Sequence, residues 1–119
     1  MKIISCVDDI FFASKINAAA KAAHVEITVV LGTPETAAAQ IKSAQPSFIL
    51  MDLNSKKSDP IRIILTLKSD PATRSVPIIG FLSHVQTDLF EEAAAAGCDR
   101  ILPRSKFSQD LPQILSGIF

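Results

Sequence analysis

Three aspartates stand directly after apolar runs that have the character of β-strands. Residues 2–7 lead into Asp8 and Asp9, and residues 47–51 lead into Asp52. Carboxylates that meet at neighbouring strand ends repel one another unless a cation compensates them. Mg²⁺ does so through carboxylates, a carbonyl and water, and an aspartate beside it can attack a phosphoryl group. Asp8 or Asp9 could instead serve simply as a helix N-cap.

The elements that would position these acids are five apolar runs alternating with five helical patterns. Several runs are apolar on consecutive residues, which suits strands buried on both faces of a parallel sheet. Strict alternation with short links indicates right-handed crossovers and one open sheet covered by helices. A single three-layer, doubly wound α/β domain is therefore expected over residues 1–119. Its predicted strands are residues 2–7, 25–30, 47–51, 77–81 and 100–102.

Turn and cap residues predict where the later helices begin and end. Thr87 or Asp88 can cap the fourth helix, and Gly97 suits a left-handed residue at its end. The fifth helix is expected at about residues 108–117. Pro112 would have to lie in the first turn of that helix, where its missing N–H has no consequence.

Composition excludes several classes of protein. The chain has 12 basic and 12 acidic residues and a net charge of zero, which argues against nucleic-acid binding. It has no apolar stretch of transmembrane length and no signal-peptide pattern at its start, so we expect a cytoplasmic protein that does not enter a membrane. Cys6 and Cys98 lack metal-binding spacing and are expected to be buried, reduced thiols.

Four segments of the chain resemble the receiver domain of bacterial response regulators, and the resemblance covers essentially the whole sequence. Residues 7–9 (VDD) resemble the acidic pair of that family, and residues 48–52 (FILMD) resemble the strand that ends in its phosphoacceptor aspartate. Residues 76–79 (VPII) are similar to the start of the fourth strand. Residues 95–102 (AAGCDRIL) are similar to the passage from the fourth helix into the fifth strand.

The resemblance implies a five-stranded parallel sheet of order 2-1-3-4-5 with five helices. It also implies that Asp52 accepts phosphate from a histidine kinase or phosphotransfer protein. Asp8, Asp9, Asp52 and the carbonyl of Asn54 would then hold Mg²⁺. The output would be a protein partner, or a second copy in a homodimer, bound through the face of the fourth helix, fifth strand and fifth helix.

The other half of the expected site departs from the family pattern. The family's hydroxyl residue at the end of strand four falls on Leu82, which cannot make that hydrogen bond, and Ser83 follows one place later. The family's lysine falls on Arg104, which keeps the positive charge, and its cis-forming proline falls on Ser105. Ser83 and Arg104 are thus the expected phosphoryl contacts, and His84 is a further polar neighbour of this pocket.

Three functional interpretations remain open at this level. The first is a stand-alone receiver with Asp52 as phosphoacceptor and an atypical switch. The second is a pseudo-receiver that binds a protein without phosphate control, which Leu82 and Ser105 favour. The third is a hydrolase on the same scaffold using His84 and the acids, but adjacent Ser83 and His84 do not make a catalytic triad by themselves. A non-enzymatic signalling module is expected.

Overall fold

The computed structural model describes residues 1–83 and 86–119, which form one parallel sheet with helices on both faces. The strand order is β2-β1-β3-β4-β5, so β3 is the central strand. The strands are β1 (Lys2–Cys6), β2 (Glu26–Val29), β3 (Phe48–Asp52), β4 (Ile78–Leu82) and β5 (Arg100–Pro103). The helices are α1 (Ile10–Ala22), α2 (Pro34–Ala44), α3 (Pro60–Ser69), α4 (Thr87–Ala96), α5 (Arg104–Gln109) and α6 (Leu111–Leu115).

Alternate apolar residues of β1, β3 and β4 contribute to two separate cores, one on each face of the sheet. Ile4 and Ile49 belong to the core covered by α2, α3 and α4, whereas Ile3 and Phe48 belong to the core covered by α1, α5 and α6. Every residue of β3 is buried. Both faces of β3 lie against helices, which explains why its apolar residues are consecutive, as inferred from the sequence.

The predicted α/β fold and strand order are confirmed, but the predicted number of helices is wrong. One helix was expected over residues 108–117, but α5 begins earlier, at Arg104, and Asp110 separates it from α6. Pro112 has no N–H to donate to the preceding turn, so it ends a continuous helix and is tolerated only in the first turn of a new one. No helix within the described residues is long and apolar enough to cross a membrane.

The start of α4 differs from the prediction, whereas its end agrees with it. Thr87 is the first helical residue, and Gln86 precedes it as the N-cap residue. The Gln86 side chain makes no capping hydrogen bond to the helix backbone, which leaves its amide available for another partner. At the other end, Gly97 has a φ of 110°, the left-handed conformation that was expected there.

Both cysteines are free thiols, as predicted, but they differ in exposure. Cys6 is buried in β1, and burial raises the pKa of its thiol to about 12. Cys98 is only partly buried, and burial raises its pKa to about 11. Both groups are therefore protonated, poorly nucleophilic thiols at neutral pH.

Candidate functional site

Asp52 is the last residue of the central strand and is nearly inaccessible, with 3% of its surface exposed. Its Oδ1 accepts a hydrogen bond of 2.9 Å from the backbone N–H of Asn54. Burial is the main cause that raises the pKa of Asp52 above its ordinary value, and the nearby Asp8 and Asp9 raise it further. The Asn54 N–H and the charge of Arg104 act in the opposite direction by stabilising the carboxylate.

Arg104 brings the acidic groups of two strand ends together. Its Nη1 lies 3.2 Å from Oδ2 of Asp9, and its Nη2 lies 3.8 Å from Oδ2 of Asp52. The guanidinium carbon lies 4.9 Å from the centre of the Phe12 ring and 5.6 Å from that of Phe81. Two aromatic faces and two carboxylates thus hold one cation at the carboxyl edge of the sheet. Its Nε is buried and has no hydrogen-bond partner among the described residues.

Asp8 and Asp9 have different roles although they are adjacent. Asp9 is the N-cap of α1, where its Oδ1 accepts a hydrogen bond of 3.1 Å from the N–H of Phe12. That bond, followed by the bond from Arg104, lowers the pKa of Asp9. Asp8 accepts a hydrogen bond of 2.7 Å at Oδ2 from the hydroxyl of Ser55. The two sequence interpretations of this pair are therefore compatible, because Asp9 caps a helix and also faces the cation.

The predicted metal ligands have oxygen donors of the right chemistry, but they do not form an assembled metal centre. Within residues 1–83 and 86–119, no three His, Cys, Asp or Glu side chains are grouped closely enough to hold a metal ion. Asp9 and Asp52 each present Oδ2 to Arg104, and Asp8 presents Oδ2 to Ser55. A divalent ion bound there would have to compete with these partners for the carboxylate oxygens.

Asn54 has a side-chain role that the sequence did not reveal. Its Oδ1 accepts a hydrogen bond of 2.6 Å from the backbone N–H of Ser83, and its Nδ2 donates one of 2.7 Å to Oε1 of Gln86. From the sequence, Asn54 was expected to contribute only its main-chain carbonyl, as a metal ligand. The side chain instead joins the loop after β3 to the end of β4 and the start of α4.

The last residue of β4 and the residue that follows it differ in exposure and in contacts. Leu82 ends the strand with 3% of its surface exposed and belongs to the apolar core under α2, α3 and α4. Ser83 is exposed and donates its backbone N–H to Asn54. The polar contact predicted for His84 lies outside the described residues. The peptide bond before Ser105 is trans.

An apolar cleft of about 370 Å³ opens between α4 and β5. Leu82 contributes to its wall, which connects the cleft to the edge of the sheet that carries the acids. Phe90 lines the same cleft and is 48% exposed. The remaining lining residues are Gln86, Thr87, Glu91, Ile101, Leu102 and Pro103.

Sequence reasoning missed four residues of this site. Ser55 and Gln86 are polar residues in connecting segments, and nothing in their local sequence indicates a partner 30 or more residues away. From the sequence, Phe12 and Phe81 are recognisable only as apolar residues. For Phe12 one signal was available, since an aromatic residue that follows a strand-end acid can pack against a basic residue brought to the same edge.

Comparison with known proteins places the chain by structure and not by sequence. No protein-family model and no curated protein sequence matches it. The chemotaxis response regulator CheY4 of Vibrio cholerae is similar, with a TM-score of 0.82 and 16% identity over 99% of this chain and 98% of that one. The phosphorylated cyanobacterial phytochrome response regulator RcpA has a TM-score of 0.73 and 23% identity over 98% and 89%. The Mn²⁺-bound response regulator Rcp1 has a TM-score of 0.74 and 20% identity over 98% and 89%.

These likenesses establish that the chain has the receiver-domain fold of response regulators. The resemblance seen in the sequence is confirmed at this level, over nearly the full length of the chain and of the similar structures.

Proposed function

We propose that the chain is a signalling module of the response-regulator type in which Asp52 accepts a phosphoryl group. The observation that carries this proposal is the position of a carboxylate at the end of the central strand with the Arg104 guanidinium 3.8 Å away. Carboxyl ends of strands are where ligands bind in open α/β sheets. The donor would be a histidine kinase or a phosphotransfer protein, as the receiver-domain fold implies.

The reaction at Asp52 is a simple transfer. An oxygen of the carboxylate forms a bond to phosphorus, while the bond from phosphorus to the donor's imidazole nitrogen breaks and that nitrogen takes up a proton from solvent. The transferred group adds negative charge beside Asp8 and Asp9. Arg104 offsets this charge if its Nη2 turns from the Asp52 carboxylate to the phosphoryl oxygens, which a planar guanidinium can contact with two hydrogen bonds.

The metal set of Asp8, Asp9, Asp52 and the carbonyl of Asn54 remains part of this proposal as a prediction. A divalent ion bound there would add positive charge next to the incoming phosphoryl group. The present partners of the three carboxylates argue that Arg104 supplies the cation of the resting site. Dependence of phosphorylation on Mg²⁺ therefore separates the two sources of positive charge.

Intact-protein mass spectrometry after incubation with acetyl phosphate tests the proposal. The wild type is expected to gain the mass of one phosphoryl group, and Asp52→Asn is expected to gain none. Asp88→Asn is the matched control, because Asp88 is an exposed acid on α4 and should leave labelling unchanged. Equal labelling of the wild type and Asp52→Asn would contradict the proposal. Parallel incubations with Mg²⁺ and with a chelator test the metal prediction.

A second candidate function is a pseudo-receiver that binds a protein or its own copy without phosphate control. Leu82 favours it, because the strand end that should sense the phosphoryl group is apolar and buried. The binding surface would be the face of α4, β5 and α5, where the cleft lies. Oligomeric state and partner binding that stay the same with and without acetyl phosphate would support this candidate over the first.

A further inference from the structure

Asn54 makes three hydrogen bonds that reach three separate parts of the site. Its backbone N–H donates to Oδ1 of Asp52, its Oδ1 accepts from the N–H of Ser83, and its Nδ2 donates to Oε1 of Gln86. The distances are 2.9, 2.6 and 2.7 Å. The end of β3, the end of β4 and the start of α4 are therefore connected through one residue.

The orientation of these two amides follows from the partners. A backbone N–H can only donate, so the oxygen of Asn54 must face Ser83 and its NH₂ group must face Gln86. Gln86 in turn must present its oxygen. The pairing has one consistent assignment, in which neither amide can flip without losing a hydrogen bond.

The hydrogen bond to Gln86 links Asn54 to the start of α4. Gln86 is the N-cap residue of this helix, yet its side chain does not cap the helix backbone. That side chain is held by Asn54 instead, so the first turn of α4 is attached to the loop that follows Asp52. Gln86 and Thr87 also line the apolar cleft between α4 and β5. A displacement of the loop would therefore move one wall of the cleft.

Leu82 makes an alternative polar route along β4 unavailable. It is the strand residue nearest this edge, and its buried side chain has no group that can donate or accept a hydrogen bond. Ser83 is bound to Asn54 through its main chain, which any residue other than proline could do. Among the described residues, the side-chain hydrogen bonds between the Asp52 loop and the β4–α4 segment are both made by Asn54.

We propose that Asn54 is the positioning residue that couples the state of Asp52 to the start of α4. A change of charge at Asp52 alters the strength of the hydrogen bond from the Asn54 N–H, because bonds to a charged acceptor are stronger than bonds to a neutral one. The loop then shifts, and the two side-chain bonds of Asn54 carry that shift to Ser83 and Gln86. This coupling would regulate the proposed phosphoacceptor function. The inference therefore rests on that function.

Backbone amide NMR spectra of the full chain test the coupling without requiring phosphorylation. Asp52→Asn replaces the carboxylate by a neutral amide, and the resulting shifts are read at Thr87 and Asp88 in α4. In the wild-type background we expect clear shifts at both amides. In the Asn54→Ala background the same Asp52→Asn change should move them at least about threefold less, as for coupled sites whose connection is removed.

Two further comparisons separate coupling from a general loss of structure. Ser55→Ala is the control, because Ser55 lies in the same loop but bonds to Asp8 and Ser58, and it should leave the response of α4 intact. Gln86→Glu keeps an oxygen that can accept from Asn54 and should preserve the response, whereas Gln86→Leu should reduce it as Asn54→Ala does. An α4 response to Asp52→Asn that is equally large with Asn54→Ala and with Gln86→Leu would overturn the proposal.

The outcome also distinguishes failure of the coupling from failure of the proposed function. If acetyl phosphate labels Asp52 but the α4 response does not depend on Asn54, the phosphoacceptor function is supported and the coupling through Asn54 is wrong. If the chain is not labelled but the α4 response disappears with Asn54→Ala, the coupling through Asn54 is supported and the phosphoacceptor function is wrong.

Discussion

The ends of β1 and β3 and the ends of β4 and β5 lie along the same edge of the sheet but have opposite character. The first pair carries Asp9 and Asp52, which share the cation Arg104. The second pair ends in Leu82 and Pro103, which line an apolar cleft. Under the proposed function, the acidic half would accept the phosphoryl group and the apolar half would bind a partner. Within the described residues, the side chain of Asn54 joins the loop after β3 to the segment after β4.

The largest effect is expected from removing one of the two aromatic rings that pack against Arg104. Phe81 is fully buried, and its ring centre lies 4.8 Å from that of Phe12 and 4.5 Å from that of Phe107. Phe81→Ala should lower the free energy of unfolding by about 3–5 kcal/mol, through lost burial and the cavity left behind. Urea denaturation measures this change. Phe90→Ala is the control in the apolar half, since Phe90 is half exposed and should cost less than about 1 kcal/mol. Equal losses would contradict the role of the aromatic cluster.

A smaller loss of folding stability is expected when a hydroxyl group is introduced at the end of β4. Leu82→Thr removes buried apolar volume and places a hydroxyl in the core under α2, α3 and α4. It should therefore cost about 2 kcal/mol of stability in thermal or chemical unfolding. Leu82→Met keeps the volume and should cost less than about 1.5 kcal/mol. A threonine variant as stable as the wild type would mean that the end of β4 can satisfy a hydroxyl, and the contrast between the halves would fail.

Arg104 is expected to affect the rate of phosphorylation. Arg104→Ala removes the cation between Asp9 and Asp52 and should slow labelling by acetyl phosphate by about tenfold or more. Arg104→Lys keeps the charge without the planar group, and its labelling rate should lie between those of the wild type and Arg104→Ala. A mass-spectrometric time course measures these rates. Arg62→Ala removes an exposed arginine and serves as the control. Labelling of Arg104→Ala at the wild-type rate would remove Arg104 from the mechanism.

The smallest effect is a dependence of stability on pH that comes from Asp52. Burial raises its pKa in the folded state, so its ionisation disfavours folding above that pKa, and this cost disappears as the pH falls below the pKa of the unfolded chain. Asp52→Asn should therefore stabilise the protein at pH 7 by on the order of 1 kcal/mol, a few degrees in melting temperature, and have little effect in acid.

Asp70 provides a comparison of opposite sign for this pH dependence. The N–H of Ala72 and then Lys42 lower the pKa of Asp70, so its carboxylate favours folding at neutral pH and loses that contribution in acid. Asp70→Asn should lower the melting temperature at pH 7. Two variants that shift the melting temperature in the same direction at pH 7 would contradict these assignments.

The fold and the acidic half of the site were predictable because their signals are local. Consecutive apolar residues marked β3 as a buried strand, and its last residue, Asp52, had to lie at the carboxyl edge of the sheet. Asp8 and Asp9 followed β1 by the same argument, and Arg104 followed β5. Parallel strands place all their carboxyl ends on one edge, so four separate positions in the sequence predict one site.

The link between the two halves was not predictable, since it depends on distant amides. Asn54 and Gln86 are 32 residues apart and meet only because the loop after β3 runs past the start of α4. An amide has no preferred partner that a pattern in the sequence could indicate. The break between α5 and α6 was missed for another reason, since Pro112 fits the first turn of either a long helix or a second short one.

Backbone amide spectra of the wild type recorded with and without acetyl phosphate and Mg²⁺ test the central claim most directly. If Asp52 phosphorylation is the input of this module, resonances near Asp52 and those of Thr87 and Asp88 in α4 should shift together, and Asp52→Asn should abolish both changes. A wild-type spectrum that is identical with and without acetyl phosphate would contradict the claim.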